Sequence, residues 1–108
     1  MAAPGEFGVP RVLNSKNRLT LSQNIGDKWE ALAIVLDFSD AKIETFRANN
    51  QQNQEGQIRT MLTEWVQKNA GKPLVQMLVE AFRASTVNLK TLALAVKAAD
   101  ENGGDIVL

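Results

Sequence analysis

The most regular pattern of apolar and polar positions in the chain begins at Ile58. Met61, Leu62 and Trp65 follow it at helical intervals of three and four residues, which places all four on one stripe of an α-helix. Burial of each of these side chains contributes roughly 1.5–3 kcal/mol, so the stripe needs several partner helices. We therefore predict a long helix over residues 54–69 that other helices cover.

Similar stripes, interrupted by residues that cap or break helices, predict five shorter helices around the long one. Their predicted extents are residues 19–24, 28–36, 40–48, 73–84 and 88–99. Asn17 or Thr20 is expected to cap the first helix, and Asp27 the second, where Glu30 would complete a capping box. Ser39 and Asn53 are the predicted caps of the third and fourth helices.

The chain reads as one domain with two unstructured ends. Residues 1–17 hold two of the three prolines and no helical stripe, so we predict a flexible lead-in, part of which resembles a cloning scar. Residues 18–99 form the predicted domain, and residues 100–108 a C-terminal tail. The first ten residues lack the basic start and apolar run of a secretory signal, and no apolar run reaches the ~18–20 residues of a membrane span.

The amino-acid composition excludes several kinds of chemistry. The 108 residues include no cysteine and no histidine, so disulfides, zinc–thiolate sites and histidine-based catalytic triads are excluded. No pair of carboxylates has a spacing that would fix it in a cleft. We therefore expect a non-catalytic protein without a cofactor or a small-molecule substrate.

Charge is unevenly distributed although the net charge is zero. Residues 27–64 contain seven acids and four bases, whereas residues 65–97 contain five bases and one acid. This segregation fits either opposite docking patches or ordinary solvated helix faces. A small helical nucleic-acid-binding domain is a further alternative, but the zero net charge and the acidic middle segment oppose it.

Two tryptophan-containing segments, DKWEALAIVLDFSDAKI and QIRTMLTEW, give the chain a family resemblance. Their order, their separation and the helix breaks between them resemble a death domain over residues 18–97. The positions that carry the resemblance are Trp29, Leu32, Ala33, Leu36, Ile43, Met61, Leu62 and Trp65, followed by Leu78, Ala81, Phe82 and Arg83. The chain departs from the family pattern at two helix junctions, where Asp37 replaces a usual glycine and Pro73-Leu74 replaces a small Ala-Thr pair.

The resemblance implies a six-helix antiparallel bundle of Greek-key type with no catalytic site. Such domains bind other death domains in receptors, adaptors and kinases, and assemble cytoplasmic complexes for apoptotic or innate-immune signalling. Self-association is a further implication. The sibling alternative is a caspase-recruitment or death-effector domain, which would have different partners, although the double-tryptophan pattern favours a death domain.

The apolar residues on the helical stripes are predicted to form the core. This prediction includes both tryptophans, which we interpret as core residues and not as binding hot spots. The predicted core residues are Trp29, Leu32, Leu36, Ile43, Phe46, Ile58, Met61, Leu62, Trp65, Leu78, Phe82 and Leu92.

The resemblance also assigns charged residues to interaction surfaces by their position in the chain. The predicted acidic patch, at the junction of the second and third helices, comprises Asp37, Asp40, Lys42, Glu44 and Arg47. Its predicted basic counterparts, on and after the fourth helix, are Arg59, Lys68 and Lys72. Two further predicted contact regions are the turn with Asp27 and Lys28 and the turn between Arg83 and Lys90.

Overall fold

The computed structural model describes residues 9–50 and 53–108, and within them it is all-helical. Its six α-helices are α1 (Ser15–Ile25), α2 (Trp29–Val35), α3 (Asp40–Asn49), α4 (Gln54–Lys68), α5 (Leu74–Arg83) and α6 (Lys90–Asn102). Two short 3-10 helices, Arg11–Leu13 and Gly26–Lys28, precede α1 and α2. The predicted all-α bundle of six helices is confirmed.

The long helix α4 lies at the centre of the packing. It packs against α1 and against α3, while α5 packs on α6 and α2 lies against α3 and α5. Every one of the twelve predicted core residues is buried, and the two tryptophans are among the largest fully enclosed side chains. The apolar stripes therefore form one core, as the spacing predicted.

Two predicted caps are confirmed by backbone geometry, and a glycine with positive φ follows two of the helices. The Ser39 hydroxyl accepts the Lys42 backbone N–H at 3.1 Å, and the Asn53 side chain accepts the Gly56 N–H at 2.9 Å. Gly26 follows α1 with a φ of 64°, and Gly103 follows α6 in the left-handed region, also with a φ of 64°. Glycine adopts this backbone conformation without the Cβ clash of other residues.

The N-terminal part of the domain differs from the prediction. Residues 9–17 are not a flexible lead-in: Val12 and Leu13 lie in a 3-10 helix and are only 3% and 1% exposed. The first helix begins at Ser15 instead of residue 19, and Asn14 caps it. A two-residue apolar pair is too short to show helical periodicity, so the pattern did not reveal this packing. Residues 1–8 of the predicted lead-in lie outside the described residues.

The predicted capping box at the start of the second helix is wrong. A 3-10 turn over Gly26–Lys28 leads directly into α2, and no side chain caps that helix. Carbonyl groups of the turn itself accept hydrogen bonds from the first backbone N–H groups of α2. The Trp29 N–H, for example, donates to the Gly26 carbonyl. The Asp27 carboxylate instead accepts the Gln54 side-chain amide at 2.9 Å, which joins this turn to the start of α4.

The C-terminal residues are also more ordered than predicted. α6 runs to Asn102, three residues past the predicted end, and Asp100 and Glu101 lie on its exposed side. Beyond it, Ile106 is 6% exposed and belongs to the hydrophobic core. The prediction of a tail over residues 100–108 is therefore wrong for residues 100–102 and for Ile106, because contact with the rest of the fold decides which short segments pack.

We predict that Trp65→Ala lowers the free energy of unfolding by roughly 3–5 kcal/mol, because it leaves a large cavity between packed helices. A loss of that size removes much of the stability of a domain this small. Urea titration followed by far-UV circular dichroism measures the change. Leu94→Ala is the matched control: Leu94 is 69% exposed, and its truncation should change stability by less than about 0.5 kcal/mol. Equal stability losses for the two variants would contradict the central role of α4.

Candidate protein-interaction surface

The junction between α2 and α3 is a tight corner whose geometry comes from the end of α2. The Phe38 N–H bonds to the Ala33 carbonyl and the Asp37 N–H to the Ile34 carbonyl, each at 3.0 Å. This pair of bonds is the Schellman pattern, which places Asp37 at the position that glycine usually fills. Asp37 adopts a φ of 74°, a region that aspartate tolerates better than most residues. Asp37 therefore preserves the turn that glycine usually forms at this position, and it adds an exposed carboxylate.

An aromatic pair supports this corner from inside. The rings of Phe38 and Phe46 meet edge to face with their centroids 5.3 Å apart. Lys68 reaches over the Phe38 ring and Lys42 over the Phe46 ring, with each ammonium nitrogen 5.8 Å from the ring centroid. Such cation–π contacts contribute about 0.5–1 kcal/mol at exposed sites. The two lysines are thus positioned by the aromatic core of the corner.

The corner borders a surface cleft of about 670 Å³. Lys42 spans it to form an ion pair with Glu64 of α4 at 3.0 Å. The cleft brings together three of the predicted interaction residues, Asp37, Lys42 and Lys68. We call the α2–α3 corner, with its exposed Asp37 and Asp40, the acidic corner. Because Lys68 lies in this cleft, it belongs with the acidic corner and not with Arg59.

Arg47 and Glu44, also predicted for the acidic patch, already bind within the molecule. The Arg47 guanidinium donates to Glu30 of α2 through Nε at 3.0 Å and to Glu44 through Nη1 at 2.7 Å, and it forms a second contact with Glu30 through Nη2. The side-chain hydrogen bonds that Arg47 donates to Glu30 and then to Glu44 raise the pKa of Arg47 further above its usual value. Arg47 therefore ties α2 to α3 as a permanent cation.

A second cleft, of about 370 Å³, lies between α1 and α4. Arg18 and Arg59 line it from the two helices, together with the hydroxyl residues Ser15, Thr60 and Thr63. We call it the basic cleft. Among the described residues, Arg59 forms one long ion pair, with Glu55 at 4.0 Å within the same helix.

Arg18 is the residue that the sequence analysis missed. The first helix was predicted to begin at residue 19, which left Arg18 just before it. Because α1 begins at Ser15, Arg18 lies one turn inside the helix and faces the cleft that also contains Arg59. The N-cap sequence Asn14-Ser15 was the signal that would have extended the helix.

The two clefts are neighbours on the surface. Glu64 and Gln67 line both of them, so a narrow polar ridge of α4 separates the basic cleft from the acidic corner. The three predicted basic counterparts, Arg59, Lys68 and Lys72, therefore lie on different surfaces of the molecule. Lys72 lies at the turn before α5, beside Asn69, whose side-chain oxygen accepts from its ammonium group at 3.1 Å.

The remaining predicted residues lie at turns away from these clefts. Lys28 is exposed just before α2, and the exposed residues Arg83 and Lys90 flank the turn between α5 and α6. In that turn Asn88 adopts a φ of 53°. Of the twelve predicted interaction residues, ten are exposed and two, Lys42 and Arg47, are half-buried. Their role in docking stays a prediction.

The fold and this charged surface define the class of protein: a small all-α bundle suited to binding other proteins. The model of one family, described as the death domain, matches residues 17–94. The chain belongs to the death-domain family, which confirms the resemblance seen in the sequence. Death domains are protein-interaction modules that mediate homotypic interactions in apoptosis signalling. Within the described residues, no helix combines the length and apolar character needed to cross a membrane.

Two relatives show how the chain compares with longer proteins. The mouse p53-induced death domain-containing protein 1 is 31% identical over 74 residues, which is 68% of this chain and 8% of that protein. The human FAS-associated death domain protein is 31% identical over 88 residues, 82% of this chain and 40% of that protein. The chain thus spans less than half of either relative. No solved structure matches it.

The Arg47 network leads to a prediction about salt. We predict that Arg47→Gln lowers the melting temperature at low salt, because α2 and α3 lose their charged link. The difference from wild type should shrink as salt rises from about 0.01 to about 1 M, since the screening length falls from ~30 to ~3 Å. Differential scanning calorimetry measures both effects.

Arg59→Gln is the control for this series. It removes the same charge, but the ion pair that it breaks is longer and lies within one helix. We expect a smaller shift with little dependence on salt. Identical melting temperatures for Arg47→Gln and wild type at low salt would show that the network does not stabilise the α2–α3 packing.

Proposed function

We propose that the chain is a non-catalytic docking domain that binds another death domain, including a second copy of itself, through the basic cleft and the acidic corner. The observation that carries the proposal is the presence of both surfaces on one molecule of this family. One surface presents Arg18 and Arg59, and the other presents Asp37 and Asp40 at the α2–α3 corner.

The ion-pair pattern supports the corner as the side that a partner contacts. Asp37 and Asp40 form no ion pair with any residue that the structure describes. Arg47 and Glu44 do pair, which makes them supports of the corner more than contact residues. Two carboxylates without cationic partners can therefore pair with cations of another molecule, and electrostatic complementarity of this kind raises the association rate and selects the partner.

The basic cleft supplies the complementary surface. Its arginines present planar groups that bind carboxylates through two parallel hydrogen bonds. Because the corner of one molecule would meet the cleft of the next, the contact is heterologous and leaves one of each surface free. Contacts of that kind extend into open assemblies unless the geometry closes a ring.

The proposal extends to the cellular role. As a member of this family, the chain would bring death-domain proteins such as receptors, adaptors or kinases together in apoptotic or innate-immune signalling on the cytoplasmic side of the membrane. The proposed role requires neither catalysis nor a cofactor.

We predict that Asp40→Lys or Arg59→Glu weakens self-association by at least about tenfold, because each change places like charges against each other. Sedimentation velocity at about 0.05 M salt measures association while screening is weak. The double variant Asp40→Lys/Arg59→Glu inverts both surfaces, so it should associate with itself again. An equimolar mixture of the two single variants should also recover association.

The controls make the same charge changes on α6. Glu101→Lys and Lys97→Glu alter exposed residues outside the two surfaces, and we expect wild-type association from both. If the two test variants associate as the wild type does, the assignment of these surfaces is wrong. A parallel titration with the death domain of the human relative examines whether the same residues serve a different partner.

A further inference from the structure

Asn17 is a buried polar residue that joins the two ends of the described chain. It is 1% exposed, and both polar atoms of its side chain form hydrogen bonds. Its Oδ1 accepts the Ile106 backbone N–H at 3.0 Å, across 89 residues of sequence. Its Nδ2 donates to the Val12 carbonyl at 2.8 Å. One amide therefore links the 3-10 helix before α1 to the segment after α6.

The segment after α6, residues 103–106, forms what we call the strap. Gly103 turns the chain out of the helix, and the Gly104 N–H bonds back to the Ala99 carbonyl at 3.0 Å. Asp105 pairs with Lys16 at 2.7 Å, but both side chains are more than half exposed, so that ion pair contributes little. The buried contacts of Ile106 hold the strap in place.

The 3-10 helix that Asn17 holds also holds Arg18. The Val12 carbonyl accepts from Asn17, and the next carbonyl, that of Leu13, accepts from Arg18 Nη1 at 2.6 Å. Arg18 Nη2 also donates to the Ser15 hydroxyl at 3.2 Å. Since the guanidinium is a rigid plane, fixing these two nitrogens fixes the orientation of the whole group.

The position of Arg18 is held despite an unmet hydrogen bond. Its Nε is buried and has no partner among the described residues. A free arginine side chain would turn to bring that donor to water or to an acceptor. The carbonyl of Leu13 therefore determines where the guanidinium lies in the basic cleft.

We propose that Asn17 is a positioning residue, through which the strap sets the orientation of Arg18 in the basic cleft. The hydrogen bonds connect the Ile106 N–H to Asn17, and Asn17 to the 3-10 helix before α1. From that 3-10 helix, the Leu13 carbonyl binds the Arg18 guanidinium. The strap lies outside the family-matched residues 17–94. Its consequence for docking rests on the proposed function.

The first experiment tests the positioning without any partner. Ile106→Pro removes the one N–H that Asn17 accepts and keeps an apolar ring in its place. In the full chain labelled with ¹⁵N, we expect the Nε–Hε resonance of Arg18 to shift and its hydrogen exchange to accelerate. The Arg59 resonance, from the opposite side of the same cleft, should stay unchanged.

Two variants control for the substitution. Val107→Pro introduces the same ring at the next residue, which is 81% exposed, and Asp105→Ser removes only the exposed ion pair. Neither should move the Arg18 resonance.

If circular dichroism shows that Ile106→Pro does not fold, Asn17→Asp takes its place. The aspartate keeps the acceptor for Ile106 but loses the donor to Val12, so the Arg18 resonance should still shift. An unchanged Arg18 resonance in the folded variant overturns the proposal.

The second experiment tests the consequence for docking with a double-mutant cycle. Ile106→Pro should weaken self-association of the chain about threefold or more, and should add nothing in an Arg18→Gln background. In an Arg59→Gln background its effect should add in full. Additive effects with Arg18→Gln would show that the strap acts by another route and would overturn the positioning role.

The two failures can be told apart. If Arg59→Glu weakens association but Ile106→Pro does not, the strap has no part in docking and the proposal fails. If Arg59→Glu also leaves association unchanged, the proposed function fails. In that case the Arg18 resonance in Ile106→Pro still tests whether the strap positions Arg18, because that measurement does not depend on docking.

Discussion

Packing of α4 against α1 on one side and α3 on the other sets the positions of the surfaces around it. Its apolar stripe, including Met61 and Trp65, is fully buried, and close-packed interiors allow little adjustment of neighbouring helices. What is left of α4 at the surface is a narrow polar face. Because that face carries Glu64 and Gln67, it becomes the ridge between the basic cleft and the acidic corner.

The charged residues divide into those that build the surface and those available to a partner. Arg47 joins α2 to α3, and Lys42 joins α3 to α4 while it also covers an aromatic ring. These contacts hold the acidic corner in shape. Asp37 and Asp40 have no such partner in the described part of the chain. A rigid corner that presents carboxylates loses less conformational freedom on binding.

Asn17 joins the two ends of the described chain through buried hydrogen bonds. A buried amide is stable only when its hydrogen bonds are made, and here the donors and acceptors come from segments far apart in sequence. The same 3-10 helix then receives Arg18. Structure outside the family-matched region is in this way connected to a residue in the basic cleft.

Local sequence signals were enough to predict the helical class, the core and most helix ends, because periodic burial and caps such as Ser39 act over a few residues. The sequence also identified the family through the spacing of Trp29 and Trp65. It did not reveal the packing of Val12, Leu13 and Ile106, since isolated apolar residues carry no periodic signal. Nor did it show which charges share a surface: Arg59 and Lys68 lie on one helix about 14 Å apart along its axis, yet they border different clefts. Only the tertiary structure decided that, because the neighbours of each residue come from α1 in one case and from the α2–α3 corner in the other.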